Sequence, residues 1–284
     1  MWIVRKLLPS GAWLCVLLWL LVAPHAGAET VPVRIGLTPV FLDEQLSFLK
    51  QWQQYLEDRT GRPVIFVQRQ SYREVTELLL NGELDAAWLC GYPYVQHREQ
   101  LQPLAVPLFH GKPLYQAYLI VAAADGHTAS LDELKGKTFA FSDPDSNSGF
   151  LVVQAGLRAR GLDAKNFFRR SFYTWSHRNV VRAVAEGLAD GGTVDGYVWE
   201  ALAKTNPELT GRTRVVSRSG FYGFPPFVTR LNGGDSSQLI ADALFNMSRD
   251  PRGQVLLRQL SLDGFTEPPP GLYQSIAKLA EQLQ

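Results

Sequence analysis

Apolar residues in this 284-residue chain follow two alternating spacings. Val33–Leu37 and residues 64–67 are short, mostly apolar runs typical of buried strands, whereas residues 42–60 between them carry apolar side chains at helical spacing. A helix over Tyr72–Leu80 and a buried strand over residues 84–89 follow. Because strands here alternate with helices, the pattern predicts a parallel sheet with right-handed crossovers.

The same alternation starts again in the second half of the chain. Thr138–Phe141 is predicted as a strand and residues 150–160 as a helix, and a later strand over 192–197 leads into a helix over 198–204. The 17 prolines and 24 glycines are scattered and form no linker. We therefore expect an α/β protein with two similar lobes.

The chain is expected to cross between the lobes twice, near residues 121–124 and 224–227. Lobe 1 then comprises residues 29–121 plus 227–284, and lobe 2 comprises residues 122–226. Clefts between such lobes lie at the carboxyl ends of the parallel strands. The residues that follow the predicted strands are polar or aromatic: Thr38, residues 90–94, residues 142–149 and residues 197–200.

The N-terminus has the pattern of a secretory signal. Arg5 and Lys6 precede a long apolar run, and Ala26-Gly27-Ala28 supplies a small-residue cleavage site. Cys15 lies inside the apolar run without the small neighbours of a lipoprotein site. We expect residues 1–28 to be cleaved on export to the periplasm; the alternative is a retained membrane anchor.

Charge and cysteine content narrow the classes of partner. Removing residues 1–28 takes away two basic residues and no acid, so the formal net charge falls from +1 to −1. A near-neutral chain without a basic run argues against nucleic acid and anionic lipid as partners. Only Cys90 remains after cleavage, so no internal disulfide can form.

Residues 142–150 are the most informative segment. They place short hydroxyl and amide side chains, among them Ser146, Asn147 and Ser148, directly before an apolar helix. A helix N-terminus presents unpaired N–H groups and favours negative charge, so this segment can bind an anion. The alternative is an ordinary helix cap, because the same residue types cap helices without any ligand.

Catalytic motifs are not apparent in the sequence. Ser148-Gly149 lacks a nucleophile elbow, no Gly-rich loop ends in Lys-Ser or Lys-Thr, and nothing in their spacing supports a Cys90–His110 dyad. The histidines after the signal form no metal-binding pattern: His97, His110, His127 and His177. We expect neither catalysis nor a cofactor nor a metal.

Several segments, in order, carry a family resemblance. The most specific is Asp143-Pro144-x-Ser146-x-Ser148-Gly149-Phe150-Leu151, joined by residues 84–88, 115–121, 194–200 and 225–228 and the Ser176-His177 step. On these residues the chain resembles the periplasmic phosphonate, phosphite and phosphate binding proteins of ABC importers, of the PhnD type. The resemblance implies a monomeric, two-lobed type II periplasmic binding protein fold. Each lobe would be a doubly wound sheet flanked by helices, and the cleft between them would capture a small oxyanion for an importer permease.

The resemblance also implies the roles of single residues. The oxyanion would be held by hydroxyls and backbone amides of Ser146, Asn147 and Ser148, where Asn147 replaces the family's threonine. An amide can still donate hydrogen bonds, so the cradle tolerates this change. Tyr72 and Tyr115 would close over the ligand from the other lobe, and His177 would complete the site.

One departure concerns ligands that carry an ammonium group. The family's aminophosphonate binders use two carboxylates; one matches Glu200, but the other position is Pro225, which has no acceptor. An aminoethylphosphonate ligand is therefore not expected. The aromatic residues Trp175, Tyr197 and Trp199 could admit a sulfonate or a pyrimidine instead, although aromatic side chains at such positions also serve packing.

The second departure is Cys90. A lone thiol in a secreted protein is commonly a small buried apolar group, but a thiolate could also bind a soft species such as arsenite. The latter reading leads to an alternative function, in which the protein presents its bound oxyanion to a membrane histidine kinase as a sensor.

Overall fold

The computed structural model describes residues 2, 31–39 and 46–283. The chain divides into two compact units, Met1–Val31 and Pro32–Gln284, and the fold below is that of the second unit. The predicted signal peptide and its cleavage site fall outside the described residues. None of the helices that the structure describes is both long enough and apolar enough to cross a bilayer.

Strands and helices alternate through the described chain. The strands are β1 (Val33–Leu37), β2 (Val64–Gln68), β3 (Ala86–Trp88), β4 (Leu101–Leu108), β5 (Leu114–Ala122), β6 (Thr138–Phe141), β7 (Arg170–Tyr173), β8 (Gly191–Asp195), β9 (Thr213–Gly223), β10 (Phe227–Arg230) and β11 (Gly264–Thr266). The helices are α1 (Leu46–Thr60), α2 (Tyr72–Leu80), α3 (Gly91–Gln96), α4 (Val152–Arg158), α5 (Ala164–Phe167), α6 (His177–Ala185), α7 (Gly196–Thr205), α8 (Pro207–Thr210), α9 (Asp235–Asn246), α10 (Pro251–Leu260) and α11 (Gln274–Glu281). One π-helical turn, Asn147–Leu151, runs directly into α4.

The first sheet has the strand order β11-β4-β10-β3-β1-β2. Its parallel part is β2-β1-β3, as the sequence predicted, whereas β10 runs antiparallel to both β3 and β4. Apolar residues of β1 and β3 are buried, and Trp52 of α1 packs edge-on against Trp88 and Phe227 with ring centroids 6.0 Å apart. This aromatic group fixes α1 on the sheet and holds the carboxyl ends of the strands in place.

The second sheet has the order β7-β6-β8-β5-β9. Strands β7, β6 and β8 are parallel, and the long β5 runs antiparallel to β8 and β9. Its apolar core includes Phe139, whose ring stacks on Phe168 at 4.3 Å. Both sheets are therefore mixed, because β10 and β11 in the first sheet and β5 in the second run opposite to the other strands.

Strand β5 corrects one expectation about the lobes. The sequence placed the first crossing near residues 121–124, but Leu114–Ala122 pairs entirely within the second sheet. The chain therefore leaves the first sheet after Leu108 and crosses at residues 109–113. The return lies at residues 224–226, inside the predicted range. Tyr115 consequently belongs to the second sheet and not, as expected, to the same half as Tyr72.

Candidate functional site

The carboxyl ends of strands from both sheets meet around a small enclosed cavity. The cavity is small, with a volume of about 20 Å³. Its walls come from the ends of β1, β3 and β8, from the starts of α2 and α6, and from the second crossing: Leu37, Thr38, Tyr72, Trp88, Cys90, His177, Asp195, Tyr197, Phe224 and Pro225. In this closed arrangement only a small ligand fits.

The segment 146–148 lies behind one wall of this cavity, and all three residues are at most 1 % exposed. Ser146 caps the helix, since its Oγ accepts a hydrogen bond from the Gly149 N–H at 3.0 Å. Gly149 is needed here because a Cβ at that position would overlap the hydroxyl of Ser142. The cap interpretation of the sequence therefore holds for Ser146.

Capping does not explain the other polar atoms of this segment. Ser142 Oγ, Asn147 Oδ1 and Ser148 Oγ are buried without a hydrogen bond of good geometry within the described structure, although Ser148 Oγ lies near the hydroxyl of Tyr115. Buried polar groups are normally paired, and an unpaired one costs about 1–3 kcal/mol. Three such atoms within one short segment indicate a place where polar groups are held ready for a ligand.

Asn147 joins the two sheets to each other. Its side-chain Nδ2 donates to Tyr115 Oη at 2.8 Å on β5, and its backbone N–H donates to Cys90 Sγ at 3.3 Å at the end of β3. Since Tyr115 Oη accepts this bond, its own O–H remains a donor. The side chain of Asn147 thus makes a contact within the second half of the molecule, and its backbone N–H makes the contact across the cleft.

His177 presents a donor to the site in its neutral form. Its Nδ1 accepts a hydrogen bond from the Asp195 backbone N–H at 3.1 Å, so in the neutral ring the proton is on Nε2. That nitrogen lies 3.5 Å from Ser146 Oγ. Burial lowers the pKa of His177 to about 3, so the ring is uncharged at neutral pH.

Asp195 is a carboxyl group in the cavity wall that the sequence analysis did not single out. It ends β8, caps α7 through Oδ1, which accepts from Tyr197 N at 2.8 Å, and is 3 % exposed. Burial raises its pKa to about 8, and the hydrogen bonds from backbone N–H groups offset this only in part. Its position at the end of a strand was the available signal, but the predicted strand extended to residue 197, so only residues 197–200 were expected at the strand end.

Asp143 fastens the two sheets together beside the cavity. Its Oδ2 accepts from the backbone N–H of Tyr72, the first residue of α2, at 3.0 Å, and its Oδ1 accepts from Asp145 N at 2.8 Å. A carboxylate from one half thus caps a helix of the other, where the helix dipole favours negative charge. Arg73 and Asp145 form a second, exposed ion pair across the same seam at 3.4 Å.

The predicted site residues therefore separate into three groups. Tyr72, Cys90 and His177 line the cavity, and Ser146, Asn147, Ser148 and Tyr115 form the buried polar layer next to it. Glu200 is not brought to the cavity. Its carboxylate instead bonds Tyr118 Oη at 2.5 Å and His110 Nε2 at 2.9 Å and is partly exposed, because the first turn of α7 points it away from the wall.

The structure also shows the surroundings of Cys90 and of the three aromatic candidates. Burial raises the pKa of the Cys90 thiol to about 12, so the thiolate that arsenite binding requires does not form near neutral pH. Tyr197 lines the cavity, but Trp199 bonds Thr213 Oγ1 and Trp175 lies on an open groove with 46 % of its surface exposed. Within the described residues no cluster of three or more His, Cys, Asp or Glu could hold a metal ion.

Comparisons with known proteins were consistent with one another. Residues 35–273 match the family model of ABC transporter, phosphonate, periplasmic substrate-binding proteins. The phosphate-import protein PhnD of Mycolicibacterium smegmatis is 30 % identical over 176 residues, which are 58 % of this chain and 55 % of that protein. The phosphonates-binding periplasmic protein of Escherichia coli is 25 % identical over 255 residues, or 85 % of this chain and 73 % of the relative. The match thus spans about half of the mycobacterial relative.

A solved structure shares the fold. PhnD1 of Prochlorococcus marinus, in complex with methylphosphonate, superposes with a TM-score of 0.79 at 18 % identity, covering 89 % of this chain and 98 % of that one. The predicted two-lobed, type II periplasmic binding protein fold is confirmed.

Proposed function

The chain belongs to the periplasmic substrate-binding proteins of ABC phosphonate transporters, and from this premise we propose that it captures a small phosphorus oxyanion, namely a phosphonate, phosphite or phosphate, for delivery to an importer permease. Capture would take place in the cavity between the two sheets, by closure of the lobes about residues 109–113 and 224–226. The protein would act by binding and release, without catalysis.

The buried polar layer at residues 146–148 is the observation that carries this proposal. It combines a helix N-terminus, two hydroxyls and a neutral His177 N–H within an enclosed space. None of the described residues that line the cavity is a lysine or an arginine. Uncharged donors gathered in one buried layer suit an anion with several oxygen atoms, because each oxygen can accept bonds while the helix dipole offsets its charge.

The residues of the cavity wall also favour phosphorus ligands without an amino group over those that carry one. Pro225 lines the cavity without a side-chain acceptor for an ammonium group, and Glu200 is engaged by Tyr118 and His110. Burial raises the pKa of Asp195 to about 8, so this acid in the wall is mostly protonated near pH 7. We therefore propose ligands without an amine. The enclosed volume favours small members such as phosphite and methylphosphonate. Export by cleavage of residues 1–28 and a monomeric state complete the proposal, and the high pKa of Cys90 gives the arsenite sensor no support.

A thermal-shift screen tests the proposed function directly. Phosphite, methylphosphonate, phosphate, 2-aminoethylphosphonate, sulfate and arsenite would each be added to the purified protein. We expect stabilisation by the first three, because a ligand that binds only the folded state raises its melting temperature. If phosphite, methylphosphonate and phosphate all fail to stabilise the protein, the proposal is wrong.

Serine variants locate the site. Ser148→Ala should fold normally, since its hydroxyl makes no hydrogen bond of good geometry within the described structure, yet it should lose most of the ligand-induced stabilisation. Combining it with Ser146→Ala should abolish the response, at an added cost of about 0.5–2 kcal/mol for the lost cap. The control is Ser171→Ala with Ser217→Ala, both exposed on strands, which should respond like the wild type.

A further inference from the structure

Asp195 is a buried acid in the wall of a cavity that should receive an anion. One carboxylate oxygen caps α7, and its backbone N–H holds the imidazole of His177 at 3.1 Å. The side chain is 3 % exposed and lines the same small cavity as His177. Two negative charges in one enclosed space repel strongly unless a cation or a proton intervenes.

The described residues around Asp195 supply no cation. The titratable groups that interact with Asp195 come from both halves of the molecule. They are Tyr72, Cys90, Tyr115, His177, Tyr197 and Glu200. The phenols and the thiol have raised pKa values and His177 a lowered one, so all of these are neutral near pH 7. The carboxylate of Glu200 adds like charge. Burial itself raises the pKa of Asp195 to about 8.

We infer, on the basis of the proposed function, that Asp195 and the bound oxyanion share one proton in the closed complex. Asp195 then selects for oxyanions that can bring this proton themselves. The proton lies either on the carboxyl group, which then donates to the ligand, or on a ligand oxygen, which then donates to the carboxylate. In both states the enclosed pair carries the same total charge.

This requirement separates phosphorus oxyanions from sulfate. The second ionisation of a phosphoryl group lies near neutral pH, at about 6 for a phosphate monoester, so such a ligand can bring its proton at little cost. Sulfate is fully ionised in this range, so Asp195 must take the proton from solvent. In an open, hydrated cleft its pKa would be near the ordinary 3.8. Protonation at pH 7 then weakens sulfate binding about 10³-fold, and this penalty shrinks about tenfold for each pH unit of acidification.

The test is a pH series of binding by inorganic phosphite and by sulfate, measured by isothermal titration from pH 5 to 9. For the wild type we expect the Kd for sulfate to fall about tenfold per pH unit between pH 7 and 5. The Kd for phosphite should rise about tenfold per unit above the second ionisation of the ligand, because neither free partner then carries the shared proton. Asp195→Asn keeps the helix cap, because asparagine caps as well as aspartate, and it is neutral at every pH. In this variant both slopes should be near zero, and the preference for phosphite over sulfate at pH 7 should drop about 10²- to 10³-fold.

Asp242→Asn, an exposed acid on α9, is the matched control and should keep the wild-type slopes. A sulfate Kd that does not depend on pH in the wild type, or slopes retained in Asp195→Asn, would overturn the shared proton while leaving phosphite capture intact. Absence of binding by phosphite, methylphosphonate and phosphate at every pH overturns the proposed function itself, and the inference with it. Thermal unfolding of each variant shows whether a loss of binding reflects a loss of fold.

Discussion

Replacing Asp143 by asparagine should loosen the closed state of the protein. The carboxylate uses both oxygens, one for the N–H of Tyr72 across the cleft at 3.0 Å and one for the N–H of Asp145 within its own turn at 2.8 Å. Asparagine has one acceptor oxygen. If that oxygen keeps the local bond to Asp145, the amide NH₂ faces the N–H of Tyr72, which sets a donor against a donor.

The size of the effect follows from burial. Asp143 is 1 % exposed, so the lost bond is a buried, charge-assisted one worth about 1.5–3 kcal/mol. The free energy of closure about the ligand becomes less favourable by the same amount, and the apparent affinity falls in proportion to the population of the closed state. Since 1.4 kcal/mol is a factor of ten, we expect the Kd for phosphite to rise about 10- to 150-fold.

Arg73→Ala provides the comparison across the same seam. Arg73 is 67 % exposed, and exposed ion pairs contribute about 0–1 kcal/mol, so its removal should raise the Kd about fivefold at most. Isothermal titration gives the affinities, and small-angle X-ray scattering with and without phosphite reports closure. If Asp143→Asn binds within twofold of the wild type, or if Arg73→Ala weakens binding equally, Asp143 is not the group that holds the lobes closed.

Three further outcomes follow from buried groups. The pKa of His177, about 3, lies below its ordinary 6.5, so between these pH values the folded protein binds fewer protons than the unfolded chain. The free energy of unfolding should therefore fall by about 1.4 kcal/mol per pH unit as the pH drops below 6.5. Urea titrations measure this decline, and His177→Gln should flatten it. The Cys90 thiol should resist thiol reagents at pH 7 until the protein is denatured, and rapid labelling of native protein would contradict its burial. Gly149→Ala, whose methyl group would overlap the Ser142 hydroxyl, should lower stability by about 1–3 kcal/mol, whereas Gly156→Ala, in open space on α4, should raise it by about 0.5–1 kcal/mol; equal effects would refute the close packing at Gly149.

Local patterns predicted most elements but missed those that depend on neighbours. The strand Leu101–Leu108 contains Pro103 and Pro107, which normally argue against a paired strand, yet it lies between β10 and β11 in the first sheet. No helix was predicted over Gly91–Gln96, because residues 90–94 were considered only as the segment that follows a strand. For the strand, tertiary pairing and burial outweighed local propensity.

The residues of the candidate site likewise fall into those that local sequence signals predicted and those that depend on tertiary contacts. The segment 146–148 and His177 could be named in advance, because a polar run before an apolar helix and a family motif are both local signals. Glu200 was expected on the same grounds, but its direction depends on how the first turn of α7 faces, and Tyr118 and His110 hold it away from the cavity. Asp195 was missed because the strand was predicted to run to residue 197, so this acid was counted within the strand and not at its end.

The order of apolar and polar residues by itself determined the alternation of strands and helices, the parallel part of each sheet and the segment that faces the cleft, because these depend on side-chain period and capping, which are local. Only the tertiary structure decided which sheet receives β5 and Tyr115, which acids lie against the cavity and which are turned outward, and which ionisable groups are neutral. Burial and pairing partners fix these properties, and both arise from residues far apart in the chain.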